Sequence, residues 1–403
     1  MINFLRHNIA QTLCRLYRTI IIPVRASQLR RKDKIEVLFL LSYRAKWKSE
    51  SIYKAMHAHP RFSPLLLISN EDEPKEEEAL FEYAKRNNYN CTRGRYRSKE
   101  IYKRFHPDII FCQEPYGLSE VFNLHSLYCY VPYTFSDIVD KTLNLTSYQM
   151  YSWQIYYENE ELAKIYGQFR GNDIRNSYGT GLPIMNEMSV AKDTLTDPWP
   201  SVRGKKRIIY APHYSIEEGA WMRTATFLEF GDDILELAEK YIDQVDWAFK
   251  PHPSLRRTLN KVWGEARTNE YYRRWERLGM MCTGAYLELF KFSDALIHDC
   301  GSFTLDYIYS GRPAMYLYRD GTSPDNFPMN HTEQYLEALR LQRAGYNRDD
   351  IEKFIVDVIT DKADEHGEER ASFLKNSLTL PDSQSATENI INCILSKDAY
   401  IAY

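Results

Sequence analysis

The sequence lacks a long apolar segment, a paired-cysteine motif and an excess of basic residues. No run of about 20 uninterrupted apolar residues is present, so we expect no helix that spans a bilayer. The 7 cysteines contain no Cys-x-x-Cys pair, which argues against a zinc site or a disulfide framework and favours a reducing compartment. A formal net charge of -3 argues against a general nucleic-acid-binding protein, because binding to phosphate backbones needs clustered lysine and arginine. These absences predict a cytosolic protein.

The length of 403 residues exceeds one typical hydrophobic core, so we expect two domains of roughly 150 to 200 residues each. The composition, 44% apolar and 27% charged, is that of a globular protein. We place the link between domains at residues 185–207, where two prolines, a glycine and mixed charges interrupt the pattern. The predicted divisions are an N-terminal helix (1–32), a first domain (33–190), a second domain (191–382) and a C-terminal helix and tail (383–403).

Apolar segments alternate with helical patterns on both sides of this link. Continuous apolar runs at 35–43 and 107–113 are typical of strands that are covered on both faces. Similar runs return at 207–215, 246–253 and 294–299. Strands that alternate with helices imply parallel sheets. The sequence therefore predicts an α/β protein in which two Rossmann-like domains face a central cleft, the GT-B arrangement, with substrates meeting in that cleft.

Residues 1–25 form a basic amphipathic pattern without any acidic residue. At about 100° per residue, the apolar side chains share one stripe and the basic ones lie roughly opposite. The stripe consists of Ile2, Leu5, Ile9, Leu13, Leu16 and Ile20, and the basic side chains are His7, Arg15, Arg18 and Arg25. Such a helix can lie on an anionic membrane surface, or it can pack on the protein's own core or on a partner subunit. The first alternative places the protein in the cytoplasm, peripheral on the inner face of the cell membrane.

Polar residues follow three predicted strands of the second domain. The three strand ends read Tyr210-Ala211-Pro212-His213, Lys250-Pro251-His252-Pro253 and His298-Asp299-Cys300-Gly301-Ser302. Neighbouring parallel strands deliver their carboxyl ends to one edge of a sheet, where ligands bind. We therefore expect these three segments to lie together, although they are far apart in sequence.

The residue types at these strand ends are suited to binding an anion. Gly301 allows the backbone to approach a ligand closely, and Ser302 would cap a helix whose N–H groups and dipole attract negative charge. Thr304, one turn further on, could add a hydroxyl group. Lys250 offers a point charge, and His252 offers a second donor between two prolines that stiffen the loop. Together they predict a pyrophosphate cradle with a histidine close to the bond that breaks.

Each of these residues taken alone also has a simpler explanation. Ser302 is an ordinary helix cap, His252 a turn residue and Lys250 a solvated strand end. His213 is either an additional phosphate donor or a loop histidine whose hydrogen bonds are already satisfied. The combination favours the anion site more strongly than any single member does.

The order of these motifs resembles that of the CDP-glycerol glycerophosphotransferase family, the enzymes of teichoic-acid and related capsule synthesis. The residues that match the family's strand, turn, Phe-Asp-Tyr helix and Arg-Pro are, in order, Asp299, Ser302, Asp306, Tyr307, Arg312 and Pro313. Tyr210-Ala211-Pro212 matches the Tyr-Ala-Pro opening of the family's nucleotide domain. The resemblance covers roughly residues 206–318.

The resemblance implies that a CDP-activated alcohol binds mainly to the C-terminal domain. The implied donor-binding residues are Lys250, His213, Asp299, Gly301, Ser302, Thr304 and Asp306. His252 would assist the departure of the nucleotide phosphate. No metal or other cofactor is implied, because lysine, histidine and a helix N-terminus can neutralise the developing charge.

One family motif is missing from this chain. Family members carry a Trp-His-Gly-Thr-Pro-like turn in the N-terminal domain, whose histidine acts as the base on the acceptor hydroxyl. The comparable strand end here is residues 130–137, without a histidine. Because a base must reach the proton that it removes, Asp137 is the better candidate, unless it only caps a following helix. Glu114, at the end of another strand, is a second candidate for contacting the acceptor hydroxyl.

We therefore expect a transferase that moves glycerol phosphate, or another polyol phosphate, from a CDP-activated donor to a cell-envelope glycan or lipid-linked acceptor. A GT-B glycosyltransferase that uses a nucleotide sugar is an alternative, because the cradle recognises a diphosphate and not the group transferred. A non-catalytic nucleotide-binding protein of the same fold is a third, and the missing turn supports it. We expect no nucleic-acid partner.

Overall fold

The chain divides into two compact units in the computed structural model. The first unit comprises Met1–Glu187 and Leu380–Tyr403, and the second comprises Met188–Thr379. The structure describes residues 13–14, 16–71, 73–114, 122–139, 147–169, 176–200, 204–217, 224–282, 284, 286–327, 330–381 and 384–396. Part of the predicted N-terminal helix, including Ile2, Leu5, His7, Ile9 and Arg15, lies outside these ranges.

The first unit is built on one parallel sheet. Its strands are β1 (Ile35–Leu41), β2 (Phe62–Ile68), β3 (Cys91–Arg93), β4 (Ile109–Cys112), β5 (Leu127–Tyr130), β6 (Gln154–Tyr156) and β7 (Ser177–Tyr178). The spatial order is β3-β2-β1-β4-β5-β6-β7, and every pairing is parallel. β1 and β4 are buried along nearly their whole length, which explains their continuous apolar sequences.

Helices connect these strands. They are α1 (Ile22–Arg30), α2 (Glu50–Ala58), α3 (Pro74–Arg86), α4 (Ser98–Phe105), α5 (Ser147–Tyr151), α6 (Glu160–Phe169) and α7 (Pro183–Met188), and a π-helical segment (Tyr17–Ile21) precedes α1. Within the described ranges, every helix falls short of the length and apolarity that crossing a bilayer requires.

The second unit is a six-stranded parallel sheet. Its strands are β8 (Lys206–Ala211), β9 (Val245–Phe249), β10 (Gly279–Met281), β11 (Ala295–His298), β12 (Ala314–Leu317) and β13 (Arg343–Gly345), in the order β10-β9-β8-β11-β12-β13. Its helices are α8 (Phe227–Lys240), α9 (Leu255–Trp263), α10 (Glu265–Leu278), α11 (Leu287–Lys291), α12 (Gly301–Asp306), α13 (Glu333–Arg340), α14 (Arg348–Ile359) and α15 (Gly367–Ser377). Phe249 stacks on Trp275 with ring centroids 4.8 Å apart, which joins β9 to α10 in the core.

The end of the chain returns to the first unit as α16 (Ala386–Leu395). The hydroxyl groups of Ser51 in α2 and Thr387 in α16 lie 2.7 Å apart. Asn389 donates a side-chain hydrogen bond to the carbonyl of Thr180. The predicted α/β fold with two Rossmann-like sheets is confirmed, whereas the short strands β3, β6, β7 and β13 were not predicted from the sequence.

Candidate active site

The ends of β8, β9 and β11 lie side by side in the second unit. The register pairs Tyr210 with Phe249 and Ala211 with His298, so the three strands end at nearly the same level. Beyond the strands, the N–H group of His252 donates to the carbonyl of Pro212 at 3.0 Å. The three polar segments that the sequence singles out therefore meet at one edge of the sheet.

Lys250 is buried at this edge and its ammonium group lies over aromatic rings. Nζ is 5.3 Å from the ring centroid of Tyr286 and 5.9 Å from that of Phe303. It also donates to the carbonyl oxygen of Gly284 at 3.0 Å. Because Phe303 is the third residue of α12, the positive charge is held beside the first turn of that helix.

The two histidines of the strand-end loops pack edge to face, with ring centroids 5.1 Å apart. The N–H group of Ser254 donates to Nδ1 of His252 at 3.1 Å, which places the proton of a neutral His252 ring on Nε2. Nδ1 of His213 lies 2.9 Å from the hydroxyl oxygen of Ser215. Burial lowers the pKa of His213 to about 4, so this ring is neutral at pH 7. The contact from Ser254 to Nδ1 therefore leaves Nε2 as the atom through which a neutral His252 ring donates a hydrogen bond.

Asp299 does not line the cradle as predicted. Its Oδ1 accepts the N–H of His213 at 2.6 Å, and its Oδ2 accepts the N–H and the hydroxyl of Thr226 at 2.6 Å and 2.9 Å. The carboxyl group is fully buried, and burial raises its pKa to about 6. Asp299 is a positioning residue, because it ties the loop after β8 to the segment that begins α8.

Three further predictions on α12 need correction. Ser302 is not the helix cap: the helix begins at Gly301, and Cys300 occupies the cap position. Thr304 is fully buried and donates to the Tyr335 hydroxyl at 3.3 Å, so its hydroxyl group is not available to a ligand. Asp306 is fully buried too and accepts a hydrogen bond from the Tyr286 hydroxyl. Both side chains fix α12 to the rest of the unit, and only Gly301 and Ser302 remain partly exposed donor candidates.

Two carboxyl groups lie near the ends of β5 and β6 in the first unit. Glu158 is buried and accepts hydrogen bonds from the N–H and the hydroxyl of Ser136, the latter at 2.8 Å. Burial raises the pKa of Asp137 to about 6. Burial also raises the pKa of Glu158, and the nearby charge of Asp137 adds to that shift. Glu158 thus holds the backbone that carries Asp137.

Glu114 lies at the end of β4, in an ion pair with Lys46 at 3.1 Å. The side-chain oxygen of its neighbour Gln113 accepts the N–H of Lys48 at 2.9 Å and that of Ser49 at 3.2 Å. The loop before α2 is therefore tied to the end of β4. Residues 115–121, which follow Glu114, lie outside the described residues.

In the described part of the chain, histidine, cysteine, aspartate and glutamate side chains form no group of three that could hold a metal ion. The candidate groups at the sheet edge of the second unit are hydrogen-bond donors and the ammonium group of Lys250. They are suited to binding an anionic ligand, not a metal cation.

The sequence matches the family model described as CDP-Glycerol:Poly(glycerophosphate) glycerophosphotransferase over residues 136–396. The chain belongs to this family. The match includes Asp137, Glu158 and the whole edge around Lys250 and His252, but not Glu114. A search of curated proteins gives no significant match.

Solved structures with a similar fold include a wall teichoic acid polymerase and a UDP-N-acetylglucosamine 2-epimerase. The wall teichoic acid polymerase TagF, as a histidine-to-asparagine variant, aligns with a TM-score of 0.61 at 16% identity, over 98% of this chain and 97% of that chain. The same variant soaked with CDPG aligns with a TM-score of 0.57 at 15% identity, over 98% and 97%. The S. aureus MnaA-UDP structure aligns with a TM-score of 0.58 at 14% identity, over 89% and 96%.

The glycerophosphotransferase family assignment confirms the predicted resemblance and the prediction of a CDP-glycerol-using transferase. Sequence reasoning missed Glu158, because only the pairing of β5 with β6 brings it near its hydrogen-bond partner Ser136 and the neighbouring Asp137. It also missed Tyr286, whose ring lies under Lys250. Tyr286 directly precedes a short helix, which marks it as a residue at a helix start. Nothing in the sequence, however, linked Tyr286 to Lys250.

Proposed function

We propose that this member of the glycerophosphotransferase family moves glycerol phosphate, or another polyol phosphate, from a CDP-activated donor to a hydroxyl group of a cell-envelope glycan or lipid-linked acceptor. The observation that supports it best is the meeting of Lys250, His252 and the start of α12 at one sheet edge. Family membership supplies the donor class.

The donor diphosphate would lie among the Lys250 ammonium group, Nε2–H of His252 and the N–H groups of Gly301 and Ser302. The acceptor oxygen attacks the phosphorus that carries the polyol, and the bond from this phosphorus to the bridging oxygen breaks. CMP leaves with that oxygen. Donors placed around the departing phosphate stabilise the charge that develops on it, which lowers the barrier.

On the acceptor side, Asp137 would accept the proton of the attacking hydroxyl group. A carboxyl group with a pKa raised to about 6 is a better base than an ordinary aspartate and is still ionised at pH 7. Glu158 would keep the loop in place through Ser136. Glu114, paired with Lys46, would contact another acceptor hydroxyl.

We propose further that the N-terminal segment docks on the anionic inner surface of the cell membrane. Four apolar side chains at helical spacing, Leu13, Leu16, Ile20 and Val24, are 49% to 54% exposed. The face behind them packs on the first unit: Tyr17 lies edge to face on Tyr151 with ring centroids 5.5 Å apart, and Arg18 is buried. A water-soluble helix normally buries its leucines, so this outward stripe supports an apolar environment.

Replacing Leu16 and Ile20 with serine is expected to reduce partitioning onto phosphatidylglycerol vesicles about tenfold or more, because burial of an aliphatic side chain is worth roughly 1.5–3 kcal/mol. The melting temperature should not fall, since both side chains are already exposed. Vesicle sedimentation measures the effect. The matched control is Val262→Ser with Val356→Ser, two exposed valines of the second unit; an equal loss in that control would contradict the proposal.

The identity of the released nucleotide tests the transfer itself. Incubation with CDP-glycerol, CDP-ribitol or a set of UDP-sugars, with a lipid-linked glycan acceptor, is expected to release CMP from one of the two CDP-alcohols. Release of UDP instead would favour the nucleotide-sugar alternative. Nucleotide binding without any release would favour the non-catalytic alternative.

A further inference from the structure

The segment 91–106 is strongly basic in a chain whose net charge is -3. It contains six lysine and arginine residues and one acidic residue: Arg93, Arg95, Arg97, Lys99, Lys103 and Arg104, with Glu100. No step of the proposed transfer uses this segment. Clustered cations on a surface attract a polyanion in preference to a neutral ligand.

The basic segment borders an open cleft of about 330 Å³ in the first unit. The cleft lies between the end of β3 and α4. Its lining consists of Leu67, Gly94, Arg95, Glu100, Ile101, Lys103, Arg104 and Phe105. The floor is apolar and three cations stand on the rim. Gly94 keeps the floor open, because a Cβ atom there would lie 3.1 Å from Cδ1 of Leu67.

The rim cations can exchange their present partners for a ligand. Arg95 pairs with Glu71 at 3.1 Å, but both side chains are more than half exposed. Arg104 donates to the Thr92 hydroxyl at 3.3 Å, and Lys103 is exposed. Exposed ion pairs contribute only about 0–1 kcal/mol, so a phosphate can replace the carboxylate at little cost.

The six cations are spread along the chain rather than confined to one turn. They begin at the carboxyl end of β3 and continue to the last turn of α4, a helix of eight residues that is about 12 Å long. A single headgroup phosphate would contact only some of these cations. A chain of successive phosphodiesters can contact more of them at once.

The end of β3 also lies on the carboxyl edge of the sheet, the edge that carries Asp137. In the strand order, β3 is four positions from β5, which corresponds to roughly 19 Å at about 4.8 Å per strand. An acceptor whose terminal hydroxyl group lies near Asp137 would therefore reach the cleft with an interior part of its chain.

We propose that this cleft binds the interior of a linear phosphodiester polyanion, the poly(polyol phosphate) chain that serves as acceptor. The identity of the polymer rests on the proposed function, whereas the binding of a linear polyanion rests on the cleft alone. The concave shape favours a segment of polymer over a flat anionic membrane.

The test compares two triple variants by direct binding of inorganic polyphosphate to the full chain. Arg95→Gln, Lys103→Gln and Arg104→Gln are expected to weaken binding at least tenfold. At about 0.7 ions released per contact on a flexible strand, the slope of log K against log salt should fall by about 2. The control is Lys261→Gln, Arg273→Gln and Arg277→Gln, which removes three exposed cations from the second unit and should change binding less than about twofold.

Three results would overturn the proposal. An equal loss in both triple variants would show that the attraction is diffuse. Loss of binding to phosphatidylglycerol vesicles with unchanged polyphosphate binding would assign the segment to lipid headgroups. Competition by inorganic phosphate as effective, per phosphate, as by polyphosphate would contradict a linear site.

Kinetic measurements with acceptors of different length test the cleft separately from the proposed function. With a long polymeric acceptor, the cleft variant should show a KM raised about tenfold at unchanged kcat, and with a single-unit acceptor it should behave as the unmodified protein. If the unmodified protein releases no CMP, the proposed function fails, while polyphosphate binding still decides the cleft.

Discussion

Replacing His252 with alanine is expected to lower kcat by roughly 10²- to 10³-fold, the usual cost of removing one donor that faces developing negative charge. The ring is oriented for this role, because Ser254 donates to Nδ1 and leaves the proton on Nε2. Donor affinity should change only a few-fold, since Lys250 and the start of α12 remain. CMP release under saturating donor measures kcat.

The loop itself should survive this substitution. Its fold depends on backbone hydrogen bonds, from His252 N–H to the Pro212 carbonyl at 3.0 Å and from Leu255 N–H to the His252 carbonyl at 2.8 Å. The melting temperature is therefore expected to stay within a few degrees. His366→Ala is the matched control, because His366 lies at the start of α15 and its ring pairs with Glu369. A turnover close to that of the unmodified protein would remove His252 from the mechanism.

The parts of the fold that could be predicted from the sequence are those with a strong local pattern. β1, β4, β8 and β11 are continuous apolar runs because helices cover both faces of each sheet. β6 and β7 have only three and two residues, which is too short for any periodicity to be visible. The return of α16 to the first unit depends on contacts between residues more than 300 positions apart, such as Ser51 with Thr387.

The location of the candidate site could be predicted from the sequence, but the orientation of its side chains could not. Parallel strands must bring Lys250, His252 and Gly301 to one edge, so their convergence follows from topology. Whether a polar side chain at that edge faces a ligand or the core depends on its tertiary neighbours. Asp299 turns inward to three donors of the neighbouring loops, and Thr304 turns inward to Tyr335.

In the N-terminal segment, the sequence shows an apolar pattern, but the structure exposes apolar side chains that such a pattern is expected to bury. Its apolar periodicity is visible in the sequence, and a helix of this kind on a soluble domain is expected to bury its leucines. Here Tyr17 and Arg18 are buried and Leu16 is exposed. The pattern therefore indicates where apolar side chains lie on the helix, but only the packing of Tyr17 on the first unit shows which face is outward.

Replacing Asp137 with asparagine is expected to lower kcat by roughly 10²- to 10⁴-fold and to remove the acidic limb of the pH–rate profile. Burial raises the pKa of this carboxyl group to about 6, so the ionised form that can accept a proton prevails above pH 6. Below pH 6 the rate of the unmodified protein should fall about tenfold per pH unit. The residual rate of the variant should not depend on pH in this range.

The Asp137→Asn variant is expected to gain stability at pH 7, although its kcat falls. Burial on folding raises the pKa of Asp137 from its ordinary value of 3.8 to about 6, so the folded state binds the proton more tightly, and ionisation at pH 7 opposes folding. Asparagine removes this free-energy cost of ionisation. A pKa shift of this size corresponds to a cost of at most about 3 kcal/mol. The variant should therefore melt at a higher temperature than the unmodified protein at pH 7, and the difference should shrink as the pH falls from 6 towards 4.

Glu114→Gln is the control for both measurements. Glu114 pairs with Lys46 and lies at the end of a different strand, so its replacement should leave the acidic limb in place. An Asp137→Asn protein that keeps both its rate and its acidic limb would show that the acceptor proton leaves by another group. Loss of the limb in the Glu114 variant alone would identify that group, because the two carboxyl groups are the candidates that the ends of β4 and β5 present at this edge.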